Sequence, residues 1–445
     1  MTAELPPATI LGFSPVLVAS VIFIATYAVI ITERINRAIV ALIGAGLMIV
    51  LGVLNQQAAI RGIDFNTIGL LTGMMVIVAI ARRSGVFQYV AVWSAKRVQA
   101  RPWGILVMLS IVTAVFSALL DNVTTVLLIA PVTLLITEEL RVPPYPFLFA
   151  EIFAANIGGT ATLIGDPPNI MIGSAVNLSF NDFLLNLAPI TPVILAVTLG
   201  IIYLIWGRRM HATDAARERV MSFNERDAIT DPGLLKQSLL VMSIVVLGFM
   251  SHHQLGLEPA TVAMAGAAML LLLSSLGSNA EDQSAHVHKS FSEVEWVTIF
   301  FFVGLFILVH GLEVVGVLDV LANQVISLTG GDMALTAMAI IWVSAVASAI
   351  VDNIPFVATM IPMIKSMAPT FGGAENLMPL WWSLALGACL GGNGSLVGAS
   401  ANLIIAGYAE RAGHRIEFLK FMFLAFPLML VSVVIASIYV YLRYL

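Results

Sequence analysis

Residues 158–174, GGTATLIGDPPNIMIGS, lie inside a strongly apolar region yet hold four Gly, two adjacent Pro, one Asp and one Asn. Paired prolines and clustered glycines cannot continue a helix. Inside a bilayer, unwound backbone is tolerated only where it is buried in protein or lines a water-filled cavity. A helix broken at mid-membrane is the device by which secondary transporters hold a substrate or ion. The feature recurs at 391–407, GGNGSLVGASANLIIAG. Aligning Gly158-Gly159 with Gly391-Gly392 also superposes Asn169 on Asn402, at the same offset of 233.

The surrounding chain has the composition such breaks require. Of 445 residues 59% are hydrophobic and 11% charged, against about 25% charged in soluble domains, which gives an all-α polytopic membrane protein. The net charge of −5 constrains little, because the charges fall in loops. The single cysteine, Cys389, excludes an intrachain disulfide and a zinc site built of several thiolates, and on its apolar helix it reads as a small packing residue. The N-terminus, MTAELPPATI, has neither a basic n-region nor a small-residue cleavage site, so no cleavable signal peptide is expected and the first apolar segment reads as a retained span. The sequence shows no metal-ligand cluster, nucleophile–base arrangement or nucleotide-binding glycine motif. The expectation is therefore no enzyme, no metal, no cofactor and no nucleic-acid partner.

Spans of about 20 apolar residues read as 14–31, 38–54, 66–81, 183–206, 239–252, 260–276, 296–312 and 418–442, with broken helices at 147–178 and 381–409. Two further segments, 103–137 and 335–367, each have two apolar arms meeting at an Asp-Asn pair. Gly73 and Gly304, Gly85 and Gly316, Asp121 and Asp352, and Asn122 and Asn353 all stand 231 apart, so the halves repeat each other. The division is 1–206, a cytoplasmic linker at 207–235, and 236–445. If each two-armed segment is a re-entrant hairpin, each half has five crossings and the repeats are inverted. With the N-terminus outside, 18 of the 21 Lys and Arg then fall inside and only Arg61, Lys365 and Arg443 outside, as the positive-inside rule demands. One crossing per two-armed segment would put Arg208 to Arg226 outside. Two full crossings leave the split unchanged, and the short second arms, 123–136 and 354–367, argue against them. The stretches 86–98 and 317–327 read as short amphipathic helices at the interface.

Chemistry concentrates at the tips and breaks. An unpaired charge at membrane depth is costly, so intramembrane carboxylates are usually functional. The first tip offers Asp121, Asn122 and Thr124, the second Asp352 and Asn353. Each Asp also suits a plain helix N-cap. The breaks add Thr160, Thr162, Asp166 and Asn169 on one side and Asn393, Ser395, Ser400 and Asn402 on the other. Asp166 has no match, because position 399 is Ala, which singles it out as the titrating, coupling group; as a turn residue before Pro167-Pro168 it also has an ordinary reading. Glu151, His310 and Glu313 lie near span ends and read as interfacial. No Lys or Arg is found at a tip or break, so the site offers acceptors and amides without a fixed cation, which favours a neutral or cationic substrate.

Together GGTATLIGDPPNIMIGSA, GGNGSLVGASANLIIAG, DNVTT and DNIPF resemble the ion-transporter superfamily, in the branch of arsenical-resistance membrane permeases, the P-protein of melanosomes and D-type Na+/H+ antiporters. The resemblance covers nearly the whole chain. It implies two inverted repeats of five transmembrane helices plus one re-entrant hairpin each, divided into a scaffold part and a transport part. Carried over residue by residue, it places the site at Asp121, Asn122, Asp166 and Asn169 of one half and Asp352, Asn353, Asn393 and Asn402 of the other; as desolvated carboxylates, Asp166, Asp121 or Asp352 are read as the groups that exchange a proton for substrate. Dicarboxylate transporters of the superfamily carry Ser-Asn-Thr at the tips, where this chain has Asp-Asn. The function expected is proton-coupled efflux of arsenite or antimonite across the cell inner membrane: the uncharged trihydroxide suits Asp, Asn and Thr acceptors, with Thr124, Thr160 and Ser395 completing the set. The alternative is a Na+/H+ antiporter, then a small-anion transporter. A channel or membrane scaffold would not need doubled carboxylates at broken helices. Besides substrate, H+ and lipid, a homodimer and a cytoplasmic ATPase subunit docked on the inner loops are partners the sequence leaves open.

Overall fold

A computed structural model describes residues 9, 10, 12–32 and 34–445; most of the segment behind the signal-peptide reading lies outside them. Among the described residues the chain is all-helical, without strands. The order is α1 (Pro15–Ile31), α2 (Arg37–Val50), α3 (Gln56–Arg61), α4 (Phe65–Arg82), α5 (Val86–Arg97), α6 (Pro102–Leu119), α7 (Asn122–Leu140), α8 (Tyr145–Gly159), α9 (Pro167–Val176), α10 (Phe180–Asn186) and α11 (Thr191–Ile205). Then follow α12 (Asp214–Met221), α13 (Pro232–Leu255), α14 (Pro259–Ser275), α15 (Ala280–Ser292), α16 (Trp296–Val314), α17 (Val317–Thr329), α18 (Met333–Ile350), α19 (Asn353–Lys365), α20 (Met378–Gly391), α21 (Ser400–Arg411) and α22 (Phe418–Tyr444). Among the described residues seven helices, α4, α6, α7, α13, α16, α18 and α22, are long and apolar enough to cross a membrane, and α10 with α11 forms a pair bent by 51°.

The halves make matched contacts. α4 packs on α14 and α2 on α16. A Cβ added at Gly73 would lie 2.7 Å from the Ala263 carbonyl carbon, and one at Gly304 would lie 2.7 Å from that of Ala41, so both crossings need a bare backbone for close approach. α6 packs on α8 as α18 packs on α20. Gly387 abuts Ile341, and Gly391 abuts Ala345 one turn on in both helices, so α18 and α20 run parallel. Gly158 meets Ala114 in the same way. Matched prolines, Pro131 and Pro362, interrupt the second arms α7 and α19.

At the end of each hairpin the Asn122 N–H donates to the Gly165 carbonyl (3.1 Å), and the Asn353 N–H donates to that of Gly398 (3.3 Å). Each tip therefore docks on the break of the following helix. Beyond the tip α9 continues for 10 residues and α21 for 12, roughly 15–18 Å at 1.5 Å per residue. The tips consequently lie within the length of the broken helices, as a hairpin requires. The arm lengths differ from the sequence expectation. α7 runs 19 residues rather than stopping at 136, because Thr137–Leu140 extend it to an Arg141 cap in the left-handed conformation. The short-arm argument thus holds for α19 alone. α2 is shorter than its expected span, 14 residues, since the chain turns at Gly52 with φ +83°. The two interface stretches are helices, α5 and α17.

Candidate functional site

The two breaks and two tips converge. The first break leaves Gly159, Thr160 and Thr162 carbonyls unpaired by helix, and the Asn169 amide donates to all three, at 3.3, 3.2 and 2.9 Å. In the second, the Asn402 amide donates to the Gly392 and Ser395 carbonyls at 2.7 and 2.8 Å. These asparagines brace the unwound loops with their NH2 groups and turn their Oδ1 atoms toward the opposite half. Thr160 donates its hydroxyl to the Asn156 carbonyl, Thr162 to that of Ala118, and Ser395 to that of Ala349. Those three hydroxyls hold the breaks in shape.

At the centre is a residue the sequence reading missed. Asn156, fully buried in α8, donates to Asn393 Oδ1 and Asn402 Oδ1, both at 3.0 Å, and accepts from Asn122 Nδ2 at 3.1 Å. It stands one turn before Gly159 on an otherwise apolar helix, and its counterpart 233 residues on is Cys389, so the repeat gave no asparagine to match. Cys389 is correspondingly more than packing: its thiol faces Asn169 Oδ1 at 3.6 Å, as Asn156 faces Asn402. Two amide atoms of this cluster, Asn122 Oδ1 and Asn393 Nδ2, are buried without a partner, as is Thr125 Oγ1. Buried polar groups are seldom left so.

The three acidic candidates have different surroundings. Asp166 is wholly buried and makes no cap for α9; it receives the Asn353 amide at 3.4 and 3.5 Å, distances too long for a strong bond, and the Cys389 thiol lies against it as a second, weak donor. Asp121 is an N-cap, its oxygens taken by the Thr124 N–H at 2.7 Å and the Thr124 hydroxyl at 2.5 Å, so Thr124 serves the aspartate. Asp352 accepts from the Ile354 N–H (3.0 Å), the Ser400 hydroxyl (3.0 Å) and Arg37 Nη1 (2.7 Å).

Arg37 corrects the expectation of a site without a fixed cation. It reads in sequence as a loop charge, yet as the first residue of α2 it reaches Asp352 and Ser400, and its guanidinium lies over the Phe301 ring at 5.0 Å. Only tertiary packing could reveal a partner 315 residues away. A cavity of about 350 Å³ lies against this pair, lined by Asn36, Arg37, Thr298, Asp352 and Ser400 among others. Glu151 likewise departs from its interfacial reading: it is buried, 1% exposed. His310 and Glu313 pair with each other at 2.9 Å, partly exposed.

With this arrangement in view, comparison with known proteins decides the family. The citrate transporter family CitMHS matches residues 27–387. The chain belongs to that family, within the ion-transporter superfamily. It is 44% identical to an uncharacterized transporter of Mycobacterium tuberculosis, over 96% of this chain and 98% of that one. It is 43% identical to a 46 kDa membrane protein of Mycobacterium leprae, over 96% and 99%. The P protein of Homo sapiens is 32% identical over 95% of this chain, which spans 59% of that protein. In fold the chain is similar to the YdaH transporter of Alcanivorax borkumensis, with a TM-score of 0.62 at 14% identity, covering 97% and 99% of the two chains. This CitMHS member is a multi-pass membrane transporter.

Proposed function

We propose that this CitMHS transporter is a proton-coupled exporter of arsenite and antimonite in the inner membrane. Its repeats are inverted and its N-terminus lies outside. The observation that carries the reading is Asp166: a fully buried carboxylate at a helix break, held by no cation among the described residues and met by a distant amide and a thiol, beside amides that have unpartnered atoms. A proton or a bound substrate relieves such a group, and competition between them is coupling. Arsenite at neutral pH is the uncharged trihydroxide, a donor of three O–H groups suited to Asp166, Asn122 and their neighbours. Arg37 does not alter that preference while it neutralises Asp352. Everted vesicles energised by a pH gradient, offered As(III), Sb(III), Na+ or citrate, test the reading. Gradient-driven uptake of As(III) or Sb(III) is expected, and uptake of Na+ or citrate alone would replace it.

A second reading is favoured by Arg37 itself. A guanidinium lining a cavity of about 350 Å³ would suit a carboxylate if Asp352 released it. In that case citrate uptake is saturable and Arg37→Gln abolishes it.

A further inference from the structure

We infer that Glu151 is a second proton-binding site, relaying protons between the cavity at the α7–α8 turn and the helix breaks. This deepens the proton coupling proposed above and rests on it. Glu151 projects from α8 and is 1% exposed. The Thr133 hydroxyl donates to its Oε1, while Oε2 is buried with no partner among the described residues. A carboxylate so desolvated is costly to keep for packing alone.

The repeat shows that packing does not require it. The position matching Glu151 is Leu384, the position matching Thr133 is Ile364, and the position matching Asp166 is Ala399. All three groups that could hold or steer a proton occur in the first half, and all three are apolar in the second. The second half buries Leu384 and Ile364 at these positions, so the glutamate–threonine pair serves something other than the fold.

Access is short on both sides. A cavity of about 1020 Å³ is lined by Leu134, Thr137, Glu138, Tyr145, His414 and Lys420 among others. Thr137 is one helical turn, about 6 Å, from Thr133 on the same face. In the other direction Gly158, seven residues and about 10.5 Å along the same face of α8, opens the first break.

The elements against α8 are α6, α7, α11, α20, α21 and α22. Their ionisable side chains are Glu138 and Glu139 at the cavity end of α7, Tyr203 on α11, Cys389 on α20, and Tyr408, Glu410 and Arg411 on α21. On α22 they are Lys420, next to the Phe421 that touches Phe149 of α8, and Tyr439, Tyr441, Arg443 and Tyr444 at the far end. Lys420 is paired with Glu417 at 2.6 Å, and Glu151 has no ion pair among the described residues. The protonated Asp166 passes its proton through water to Oε2, leaving the Asp166 carboxylate and a neutral Glu151. Glu151 then gives the proton to a water in the cavity, leaving hydronium there and a carboxylate ready for the next.

Infrared difference spectra of the purified full chain in lipid discs, in H2O and D2O, test the site. Two protonated-carboxyl components that shift in D2O are expected in wild type: one persists in Asp166→Asn, is absent in Glu151→Gln and is displaced in Thr133→Val, and the other, of Asp166, remains in Glu151→Gln. Identical acid bands in wild type and Glu151→Gln at every pH would overturn the inference. In everted vesicles with As(III) as probe, Glu151→Gln is expected to lose gradient-driven uptake and keep As(III) exchange, with partial recovery in Glu151→Asp. Wild-type gradient-driven uptake by Glu151→Gln would overturn the relay. If no vesicle takes up any probe while the Glu151 band titrates, the proton site stands and the arsenite reading is what fails.

Discussion

At the scale of single residues, position in the repeat and actual surroundings disagree, and the disagreement is informative. Asp121 and Asp352 are equivalent in sequence, but one is a cap satisfied by Thr124 and the other an ion-pair partner of Arg37. Asp121→Asn is therefore expected to keep most transport and most stability, since Asn caps about as well as Asp, whereas Asp121→Ala should cost about 1 kcal/mol. Asp352→Asn leaves Arg37 without its counter-charge and is expected to lose most transport, measured as initial uptake in vesicles at equal expression. Asp166→Asn keeps size and acceptor capacity but cannot titrate. It is expected to bind As(III), seen as thermal stabilisation, and to exchange it, but to lose uptake driven by a pH gradient. Full gradient-driven uptake would move coupling away from Asp166. The sequence made the acids and braces legible because charge and proline stand out in apolar segments. Asn156 and Arg37 were not legible: an amide on an unbroken helix carries no signal, and a charge beside a loop gives no hint of where it folds.

At the scale of elements, close backbone approach fixes how each hairpin seats on its broken helix. A Cβ at Gly158 would lie 2.2 Å from the Ala114 carbonyl oxygen, whereas one at Gly407 would meet nothing within 4 Å. Gly158→Ala must push α6 away from α8 and is expected to destabilise by roughly 1–3 kcal/mol, the usual cost of overpacking. Gly407→Ala should leave the melting temperature in detergent unchanged or slightly raised. The linker makes a different kind of contact: Lys96 Nζ donates to Glu225 Oε2 at 2.6 Å and to the Phe223 carbonyl at 2.9 Å. The Lys96 hydrogen bond holds the Glu225 carboxyl below its usual range. A depressed carboxyl lends its stabilisation above the unfolded value and loses it as pH falls through the folded one. Hydrogen exchange at 222–229 should thus be faster in Lys96→Met at neutral pH, with a smaller difference once Glu225 is protonated and Lys96 keeps only the Phe223 carbonyl. The paired arms and breaks were legible from glycine, proline and the 231-residue repeat. The length of α7 was not, because Thr137 to Leu140 look like the start of a polar loop but continue the helix.

At the scale of the molecule, the basic loops gather on one face. Arg217 donates to the Gln99 carbonyl at 3.0 and 3.2 Å, Arg219 to that of Glu139 at 2.7 Å, and Arg83 to Ser290 at 3.2 Å, while the Thr230 N–H reaches the Ser84 carbonyl at 3.1 Å. The loops after α4, α5 and α7, the linker and the end of α15 therefore share one side. A chain in which each two-armed segment crossed once would place the linker opposite Gln99, and these contacts forbid that. The proposed topology puts this face, which holds Arg82, Arg83, Lys96, Arg97, Arg101, Arg141 and Arg208 to Arg226, in the cytoplasm, as the positive-inside rule asks. Ala215 is exposed on α12, and the only native thiol is buried. In a Cys389→Ser background, which retains a donor for Asn169, a cysteine introduced by Ala215→Cys is expected to resist a membrane-impermeant maleimide in intact cells and to react in everted vesicles. Leu328, 87% exposed near the end of α17, supplies the opposite probe, since Leu328→Cys should react in intact cells. Reaction at position 215 from outside, together with protection at 328, would turn the molecule over in the membrane. It would leave every contact at the helix breaks in place and, because the gradient sets the direction of exchange, leave the direction of coupled transport unchanged while exchanging which face opens to the cytoplasm.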